Sequence, residues 1–303
     1  MLITIRIFFL SYKQINLSIR RVYLPKSNHY KIMTNKMKEI YKYYTAEDYN
    51  LDAIEKQYFY FRHVGKLNDP FDSNILLFQP EEYAKNFGPK DKLEEIVSKY
   101  GTCSFSERQD NLTLWALYAD CHKGFVVAYD ADQFEYMNTQ FNGVRFPFYK
   151  INYVTEPIRL DQPETTITLK SWNGDSISHS IEECYNNKDP KLLDFLFLYI
   201  INIKSSNWSN EEEWRLFVGL DLFDRNMSFR KDIPGIEEDN EKLGYKVNMP
   251  SNVIHSIILG CNMEEKIKTK LIAIAEKLGV SIYETELGTP YQLNFKPIRH
   301  QKL

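Results

Sequence analysis

Two glutamates and an arginine alternate along one short stretch of the chain, at Glu211, Glu213 and Arg215. Successive side chains of a strand point to opposite faces, so a strand here places all three on one face and Trp214 and Leu216 on the core face. Two neighbouring carboxylates can stabilise a developing positive charge and exchange a proton. The alternative is a solvated face on which Arg215 neutralises the glutamates, a pair type worth under about 1 kcal/mol.

Two hydroxyls share one face of an earlier predicted strand, which spans residues 101–106. Ser104 and Ser106 lie on that face, whereas Cys103 and Phe105 lie on the other. The hydroxyls either position the ribose or amide of a nucleotide or simply fit a half-buried strand. The sequence contains no Gly-x-Ser-x-Gly motif, which argues against a serine hydrolase.

Two further segments offer candidate contacts to a cofactor. Asp69 and Asp72 flank a proline in a stiff turn, which either serves the fold alone or forms a pocket rim where a carboxylate binds a ribose. Trp115 and Tyr118 lie at helical spacing on a predicted helix, where they either pack in the core or stack on a nucleobase. For each of these two segments, a structural role and a ligand contact both stay open.

Two other classes of function are also compatible with these residues. Clustered carboxylates suit Mg²⁺ or Mn²⁺, so the four acidic candidates named above would fit a metal-dependent phosphodiesterase or nuclease if they lie close together. A non-catalytic module that binds a peptide or nucleotide in an aromatic groove would instead leave the glutamates exposed. No His or Cys spacing predicts a metal site, and no P-loop, Gly-x-Gly-x-x-Gly or His-Glu-x-x-His motif is present.

Strands and helices intermix without the strict alternation of a doubly wound sheet. The sequence therefore predicts an α+β fold, a single domain with a mixed or split β-sheet flanked by helices. The predicted strands span residues 40–44, 58–61, 101–106, 125–129, 253–259 and 280–283. The predicted helices span residues 45–56, 91–100, a segment from 112 that ends near Gly124, the buried segment 192–203, and 264–278. We expect an irregular insertion at about 138–190 and a polar loop over 221–244.

Composition is that of a globular protein, with 303 residues, 43 % hydrophobic, 15 % aromatic and 26 % charged. The four cysteines show no C-x-x-C spacing, which favours a reducing cytoplasm. Residues 1–38 hold eight of the 38 basic residues and no acidic one, which leaves 30 basic against 41 acidic residues in the remainder. A body that acidic has no general affinity for nucleic acid.

The sequence predicts a single domain at 37–303, preceded by a segment at 1–36 that does not belong to it. The apolar run at 1–10 is too short to span a bilayer and lacks a basic segment before it, so no transmembrane segment is predicted. Residues 1–36 form a basic extension that is either a loose arm, a membrane-surface anchor, or sequence upstream of a true start at Met33 or Met37. Neither the oligomeric state nor a macromolecular partner follows from the sequence.

Three ordered blocks resemble the bacterial family of unknown function DUF2971. The blocks are Ile40 to Tyr43 with Tyr58 to Phe61 and Asn68 to Asp72; Cys103 to Ser106 with Leu114 to Phe125; and Trp208 to Arg215 with Ile258 to Cys261. The resemblance implies a bacterial protein and little settled chemistry.

A second, more distant resemblance concerns ADP-ribosyltransferases, which place one reactive residue on each of three strands of a split sheet. This chain is similar in offering Tyr41, then Ser104 and Ser106, then Glu211-x-Glu213 in that order. The resemblance implies NAD as a substrate, Glu213 as the principal acid with Glu211 as its partner, and a pocket shaped by Ser106 and Tyr41. Arg215 would hold the glutamates. It also implies an unknown macromolecular acceptor and a role as a toxin or antiviral effector.

Overall fold

One large mixed β-sheet organises the chain, and helices pack on both of its faces. The structure is a computed structural model that describes residues 39–69, 71–72, 97–141, 143–156, 162, 164–186, 190–223 and 228–298. In this part of the chain, eleven strands form the large sheet and two further pairs of strands lie outside it. The predicted α+β fold with one mixed sheet flanked by helices is confirmed.

The helices are α1 (Asp48–Glu55), α2 (Leu112–Tyr118), α3 (Phe134–Gln140), α4 (Ile181–Asn186), α5 (Pro190–Ile200) and α6 (Glu265–Leu278). The strands are β1 (Glu39–Tyr44), β2 (Tyr58–His63), β3 (Gly101–Ser106), β4 (Phe125–Asp130), β5 (Phe148–Lys150), β6 (Asn152–Val154), β7 (Thr166–Lys170), β8 (Ser176–Ser180), β9 (Ile203–Ser205), β10 (Glu213–Val218), β11 (Ile236–Asp239), β12 (Gly244–Asn248), β13 (Ile254–Leu259), β14 (Ser281–Leu287) and β15 (Leu293–Pro297).

The sheet runs in the order β11-β12-β2-β3-β1-β4-β13-β14-β15, and β10 joins it beside β3 and carries β5. Its pairs are antiparallel except β13 and β14, which α6 connects and which are parallel. A crossover helix is the usual way to join parallel neighbours. Strand β3 therefore has β10 along one side and both β1 and β2 along the other.

Alternating side chains give this sheet two apolar faces. On the first face, Phe105 and Leu216 belong to a core cluster that includes residues of α1, α3 and α6. On the second face, Tyr41 packs with Trp115 of α2, and Phe217 packs with apolar residues of α5. Because strand residues alternate, the even-numbered positions of β3 lie on this second face. The candidate hydroxyls therefore lie on the face that α2 and α5 partly cover.

The helix predicted at 192–203 is α5, which ends at Ile200, whereas Ile203 already begins β9; the helix residues from Phe195 to Ile200 are buried. Burial on all sides explains why apolar residues occur around the whole helix. Among the described helices, none combines the length and the hydropathy that a membrane crossing requires.

Three element predictions need correction. The polar loop expected at 221–244 contains β11 and the start of β12, because Ile236 anchors an otherwise acidic edge strand that propensity alone does not reveal. The insertion at 138–190 is more regular than expected and includes the β7–β8 hairpin, in which Ile167 and Leu169 are buried. Helix α2 ends at Tyr118 and not near Gly124. Residues 1–36 and most of the predicted helix 91–100 lie outside the described residues.

The turn after α2 is left-handed at three consecutive residues, Asp120, Cys121 and His122, with φ of 44°, 52° and 67°. Gly124 closes this turn by approaching other backbone closely, and not by adopting a positive φ. A Cβ on Gly124 would lie 2.1 Å from the carbonyl oxygen of Tyr44. The residue thus ties the end of α2 to the junction of β1 and β4.

Replacing Gly124 with alanine should lower the free energy of unfolding by about 1–3 kcal/mol or more, because the new methyl group collides with backbone that cannot turn aside. Gly65→Ala is the matched control, since a Cβ at Gly65 meets nothing within 4 Å. Urea unfolding should give a shift below about 0.5 kcal/mol for the control. Equal stabilities of the two variants would contradict the close approach at Gly124.

Candidate active site

Three candidate residues lie in one row across neighbouring strands. Tyr41 of β1 lies directly opposite Ser106 of β3, and Ser106 lies directly opposite Glu213 of β10. Side chains of directly opposed residues project from the same face with Cβ atoms about 4.5–5.5 Å apart. The residues that the sequence singled out separately thus form one continuous row on the second face of the sheet.

The sheet splits beside this row. Strand β1 pairs with β3 at Ser106, whereas β2 pairs with the same side of β3 at Gly101 and Thr102. No described strand pairs with residues 103–105 on that side. Instead, the ammonium of Lys42 donates a hydrogen bond to the free carbonyl of Ser104 at 3.1 Å. The diverging strands β1 and β2 open a gap that a ligand can enter.

A cleft of about 1240 Å³ lies at the split. Ser104, Ser106, Glu211, Glu213 and Arg215 line it, together with aromatic side chains. The aromatic residues include Tyr41, Tyr43, Tyr60, Tyr118 and Trp208. Its volume is at or above the upper end of the range of about 300–1000 Å³ for small-molecule sites. The cleft therefore has room for a ligand as long as a dinucleotide.

A buried guanidinium holds the floor of the cleft together. Arg215 is 1 % exposed, and its Nε donates to Glu213 Oε1 at 2.7 Å. Its two terminal nitrogens donate to both carboxylate oxygens of Asp72, and Nη1 also donates to the carbonyl of Ile201 at 3.0 Å. Bidentate pairing of this kind fixes both partners in geometry as well as in charge.

A second cation, Lys204 of β9, bridges the two glutamates. Its Nζ lies 2.5 Å from Glu211 Oε2 and 2.8 Å from Glu213 Oε2, and all three side chains are at most 6 % exposed. Asp72, Glu211 and Glu213 carry three negative charges against the two positive charges of Lys204 and Arg215. Among the described side chains, the cluster therefore holds one carboxylate charge in excess in a water-poor environment.

The two glutamates differ in their affinity for a proton. Burial alone would raise the pKa of Glu213, but the charges of Arg215 and Lys204 outweigh it and lower the pKa to about 2. Burial and the negative charge of Glu213 raise the pKa of Glu211 above its ordinary value. Burial alone would lower the pKa of Lys204, but the negative charges of the two glutamates outweigh it and raise that pKa. The side chain therefore stays an ammonium. Glu213 is thus fixed as an anion, and Glu211 is the glutamate able to accept a proton.

Asp72 is the third carboxylate that could accept a proton in this cluster. Burial raises its pKa although the charge of Arg215 opposes the rise. Both of its oxygens nevertheless accept hydrogen bonds from Arg215, and this bidentate pairing favours the ionised form. We therefore assign the charge to Asp72 and the titrating role to Glu211.

A tight turn, and not a continuous strand, brings the two glutamates together. Glu211 ends a 3₁₀ turn, Glu212 adopts a left-handed backbone with φ of 47°, and β10 begins only at Glu213. The prediction that Glu211 lies on the strand is therefore wrong. The hydroxyl of Ser106 donates to the carbonyl of Glu211 at 2.7 Å and accepts from the amide of Arg108, so it positions this turn.

Other predicted site residues line the cleft, and their polar groups already form hydrogen bonds within the protein. The hydroxyl of Tyr41 donates to the Glu39 carboxylate at 2.6 Å, which leaves its ring as the surface toward the cleft. Asp69 lines the cleft and accepts from the amide of Phe71 in its own turn. Tyr118 also lines the cleft, and its hydroxyl donates to Glu211 Oε1 at 3.0 Å.

Trp115 is the predicted contact that the structure places elsewhere. Its side chain is fully buried, its indole donates to the carbonyl of Gln109 at 2.8 Å, and it is not among the residues that line the cleft. A ligand in the cleft cannot stack on it, so Trp115 is a core residue. Trp208 lines the cleft instead, and the ammonium of Lys204 lies 5.3 Å from its ring centroid.

Sequence reasoning assigned no role to Lys204 or to Trp208. A lone lysine directly after the apolar segment 192–203 was a usable signal, because an unpaired ammonium is costly to bury and calls for carboxylate partners. Trp208 opens the same polar stretch as the glutamates, and only the 3₁₀ turn reveals that it faces the cleft.

A divalent metal fits this cluster poorly. In the described part of the chain, no three His, Cys, Asp or Glu side chains are grouped in a way that could hold a metal ion. Oxygens that a cation would need already accept hydrogen bonds from Lys204 and Arg215. Asp72, Glu211 and Glu213 do lie close together, as the phosphodiesterase hypothesis requires, but Lys204 and Arg215 occupy the positions between them.

The family DUF2971, described as a protein of unknown function, matches residues 114–216, about a third of the chain. This span begins in α2 and ends in β10, and it contains Tyr118, Lys204, Glu211, Glu213 and Arg215. The match confirms the resemblance to that family. No curated protein and no solved structure matches the chain. The similarity to ADP-ribosyltransferases stays a prediction.

Replacing Arg215 with methionine should lower the free energy of unfolding by about 3–5 kcal/mol, because it leaves Asp72 and Glu213 buried without their cation. Arg108→Met is the matched control. Arg108 also bonds a carboxylate, that of Asp110, but both side chains are about half exposed. Urea titration should show a loss below about 1 kcal/mol for the control. A loss at Arg215 no larger than at Arg108 would contradict the buried cluster.

Proposed function

We propose that the chain is an ADP-ribosyltransferase-like enzyme that takes NAD as a substrate in the cleft and transfers ADP-ribose to a macromolecular acceptor. The observation that carries the proposal is the row of Tyr41, Ser106 and Glu213 across three strands at the split of the sheet. The row ends at a carboxylate in a desolvated cluster with one excess negative charge. This order of residues is the one that the distant resemblance implies.

The far part of the cleft offers groups that suit a phosphate or a ribose. The hydroxyls of Thr102 and Tyr60 are shielded from water and have no hydrogen-bond partner among the described residues. Arg62 lies directly opposite Thr102, and no described carboxylate pairs with its guanidinium. An unmade hydrogen bond of a buried group costs about 1–3 kcal/mol, which a phosphoryl or ribose oxygen would recover. These residues fit a dinucleotide substrate.

Thr102 and Ser106 are four positions apart on β3, so the two ends of the cleft floor are separated by about 13 Å. A dinucleotide with its reactive ribose beside Glu213 would extend toward Arg62 over this distance. Aromatic rings along the cleft provide surfaces for its planar bases. The proposed orientation therefore places nicotinamide at the glutamates and the adenosine half toward β2.

The charge of the cluster supports the proposed chemistry. The bond from ribose to nicotinamide breaks through a transition state with positive charge on the sugar. The fixed anion of Glu213 stabilises that charge more than it stabilises neutral ribose, and low local polarity strengthens the effect. The positive charges of Arg215 and Lys204 keep Glu213 ionised and in place. Glu211 then takes the proton from the acceptor nucleophile.

The burial of the glutamates disfavours a purely non-catalytic module. That alternative predicts exposed glutamates that can be replaced freely, whereas Glu211 and Glu213 are 3 % and 4 % exposed and line the cleft. Keeping such charges in a core is expensive and is typical of functional sites. We further propose a cytoplasmic location, because all four cysteines are free thiols.

Incubation of the protein with NAD should release nicotinamide, and Glu213→Gln should reduce the rate about 100-fold or more. Glu212→Gln is the matched control, because its side chain is the neighbour in sequence but is 39 % exposed and points away from the cluster. Chromatography measures the nicotinamide, and thermal unfolding checks that each variant is folded. Absence of release from the folded wild type would overturn the proposed function, as would undiminished release from Glu213→Gln.

The rate of ADP-ribose transfer to an acceptor should depend on pH through Glu211. Its pKa is raised above the ordinary 4.5, so kcat/KM should fall about tenfold per pH unit below that raised pKa as the base becomes protonated. The charge of Lys204 opposes this rise, so Lys204→Met should shift the acidic limb of the profile to higher pH. The exposed Lys66→Met serves as the control. An acidic limb that stays in place in Lys204→Met would contradict the assignment of Glu211.

A further inference from the structure

One tyrosine of the cleft is arranged as a nucleophile. Tyr118 lines the cleft, and its hydroxyl donates to Glu211 Oε1 at 3.0 Å. The other oxygen of that carboxylate accepts from Lys204 at 2.5 Å. A hydroxyl, a base within hydrogen-bonding distance and a third group that orients the base are the signature of an activated nucleophile.

The backbone around Tyr118 is firmly placed. The side chain of Asn111 caps α2 by accepting from the amides of Thr113 and Leu114 at 3.0 and 3.2 Å. Trp115 is fully buried beneath the helix. After Tyr118, the left-handed turn bonds back into the helix, where the amide of His122 donates to the carbonyl of Trp115. The hydroxyl is therefore held beside Glu211 and does not depend on a mobile loop.

Other tyrosines of the cleft lack this arrangement. The hydroxyl of Tyr43 donates to the carbonyl of Arg108 at 2.8 Å, which cannot accept a proton. Tyr44 is paired with the hydroxyl of Tyr129 in the core. The phenol of Tyr41 donates to Glu39, a carboxylate outside the glutamate cluster. Tyr118 is the tyrosine whose acceptor carboxylate belongs to the proposed reaction centre.

We propose that Tyr118 is itself an acceptor, so that the chain modifies its own cleft with ADP-ribose. This inference rests on the proposed function. The bond between ribose C1′ and the nicotinamide nitrogen breaks, and its electron pair leaves with neutral nicotinamide. The Tyr118 oxygen forms the new bond to C1′, and its proton passes to Glu211. No oxidant or reductant takes part.

The modification has a consequence for the enzyme. ADP-ribose linked to Tyr118 stays in the cleft, and the tyrosine can no longer donate its proton to Glu211. Each modified molecule therefore blocks its own reaction centre. The reaction occurs within one molecule, because the nucleophile and the glutamates lie in the same cleft.

Incubation of the full chain with NAD alone, followed by mass spectrometry of the intact protein and its peptides, tests the inference. We expect one ADP-ribosyl group on Tyr118, attached at a fractional rate that does not change with protein concentration. Glu211→Gln should slow the attachment on the order of 100-fold. Tyr118→Phe should lose the label, whereas the exposed Tyr136→Phe should label as the wild type does.

Each outcome separates the two claims. Nicotinamide release without a label on Tyr118, or with the label on another residue, overturns the inference and leaves the proposed function in place. Absence of nicotinamide release overturns both. A labelling rate that rises in proportion to protein concentration contradicts modification within one molecule. Circular dichroism of Tyr118→Phe establishes that loss of label does not reflect loss of fold.

Discussion

The shared guanidinium of Arg215 is the constraint on which the rest of the site depends. It joins the turn that carries Asp72, the residue that follows α5, and the first residue of β10 through hydrogen bonds to Asp72, Ile201 and Glu213. A buried arginine is costly to desolvate, and these acceptors offset that cost. The segments that carry these acceptors are therefore obliged to meet at one point of the sheet.

The buried cluster around Arg215 also has an imbalance of charge. One arginine and one lysine face three carboxylates, so among the described side chains one negative charge is left in excess. A fold selected for stability alone would favour balanced pairs or apolar packing here, because buried ion clusters contribute little net stability. The imbalance makes physical sense if a ligand supplies positive charge during a reaction, as the sugar would in the proposed cleavage. The split between β1 and β2 gives that ligand access.

The sequence predicted much of this site because strand alternation is local. The period of two placed Ser104 with Ser106 on one face of β3 and Glu213 with Arg215 on one face of β10, but only the register between the two strands brings Ser106 opposite Glu213. Contacts that depend on distant segments were not predictable. Lys204 meets the glutamates only because β9 and the 3₁₀ turn fold together, and the left-handed residue Glu212 breaks the expected strand.

Trp115 was wrongly predicted to contact a ligand. The sequence pattern of an aromatic residue on a helix is the same whether the side chain packs in the core or lines a binding site. The edge strand β11 was missed because three of its four residues are acidic and strand propensity is weak there.

The most direct measurement of the central claim is the ionisation of the two glutamates, followed by NMR of the side-chain carboxyl carbons in protein labelled with ¹³C-glutamate. Glu211→Gln and Glu213→Gln identify the two resonances. The account predicts that Glu213 stays ionised well below pH 4.5, while Glu211 titrates above it. Titration of both glutamates together near pH 4.5 would mean two independent, solvated carboxylates, and the buried, unbalanced cluster would be contradicted.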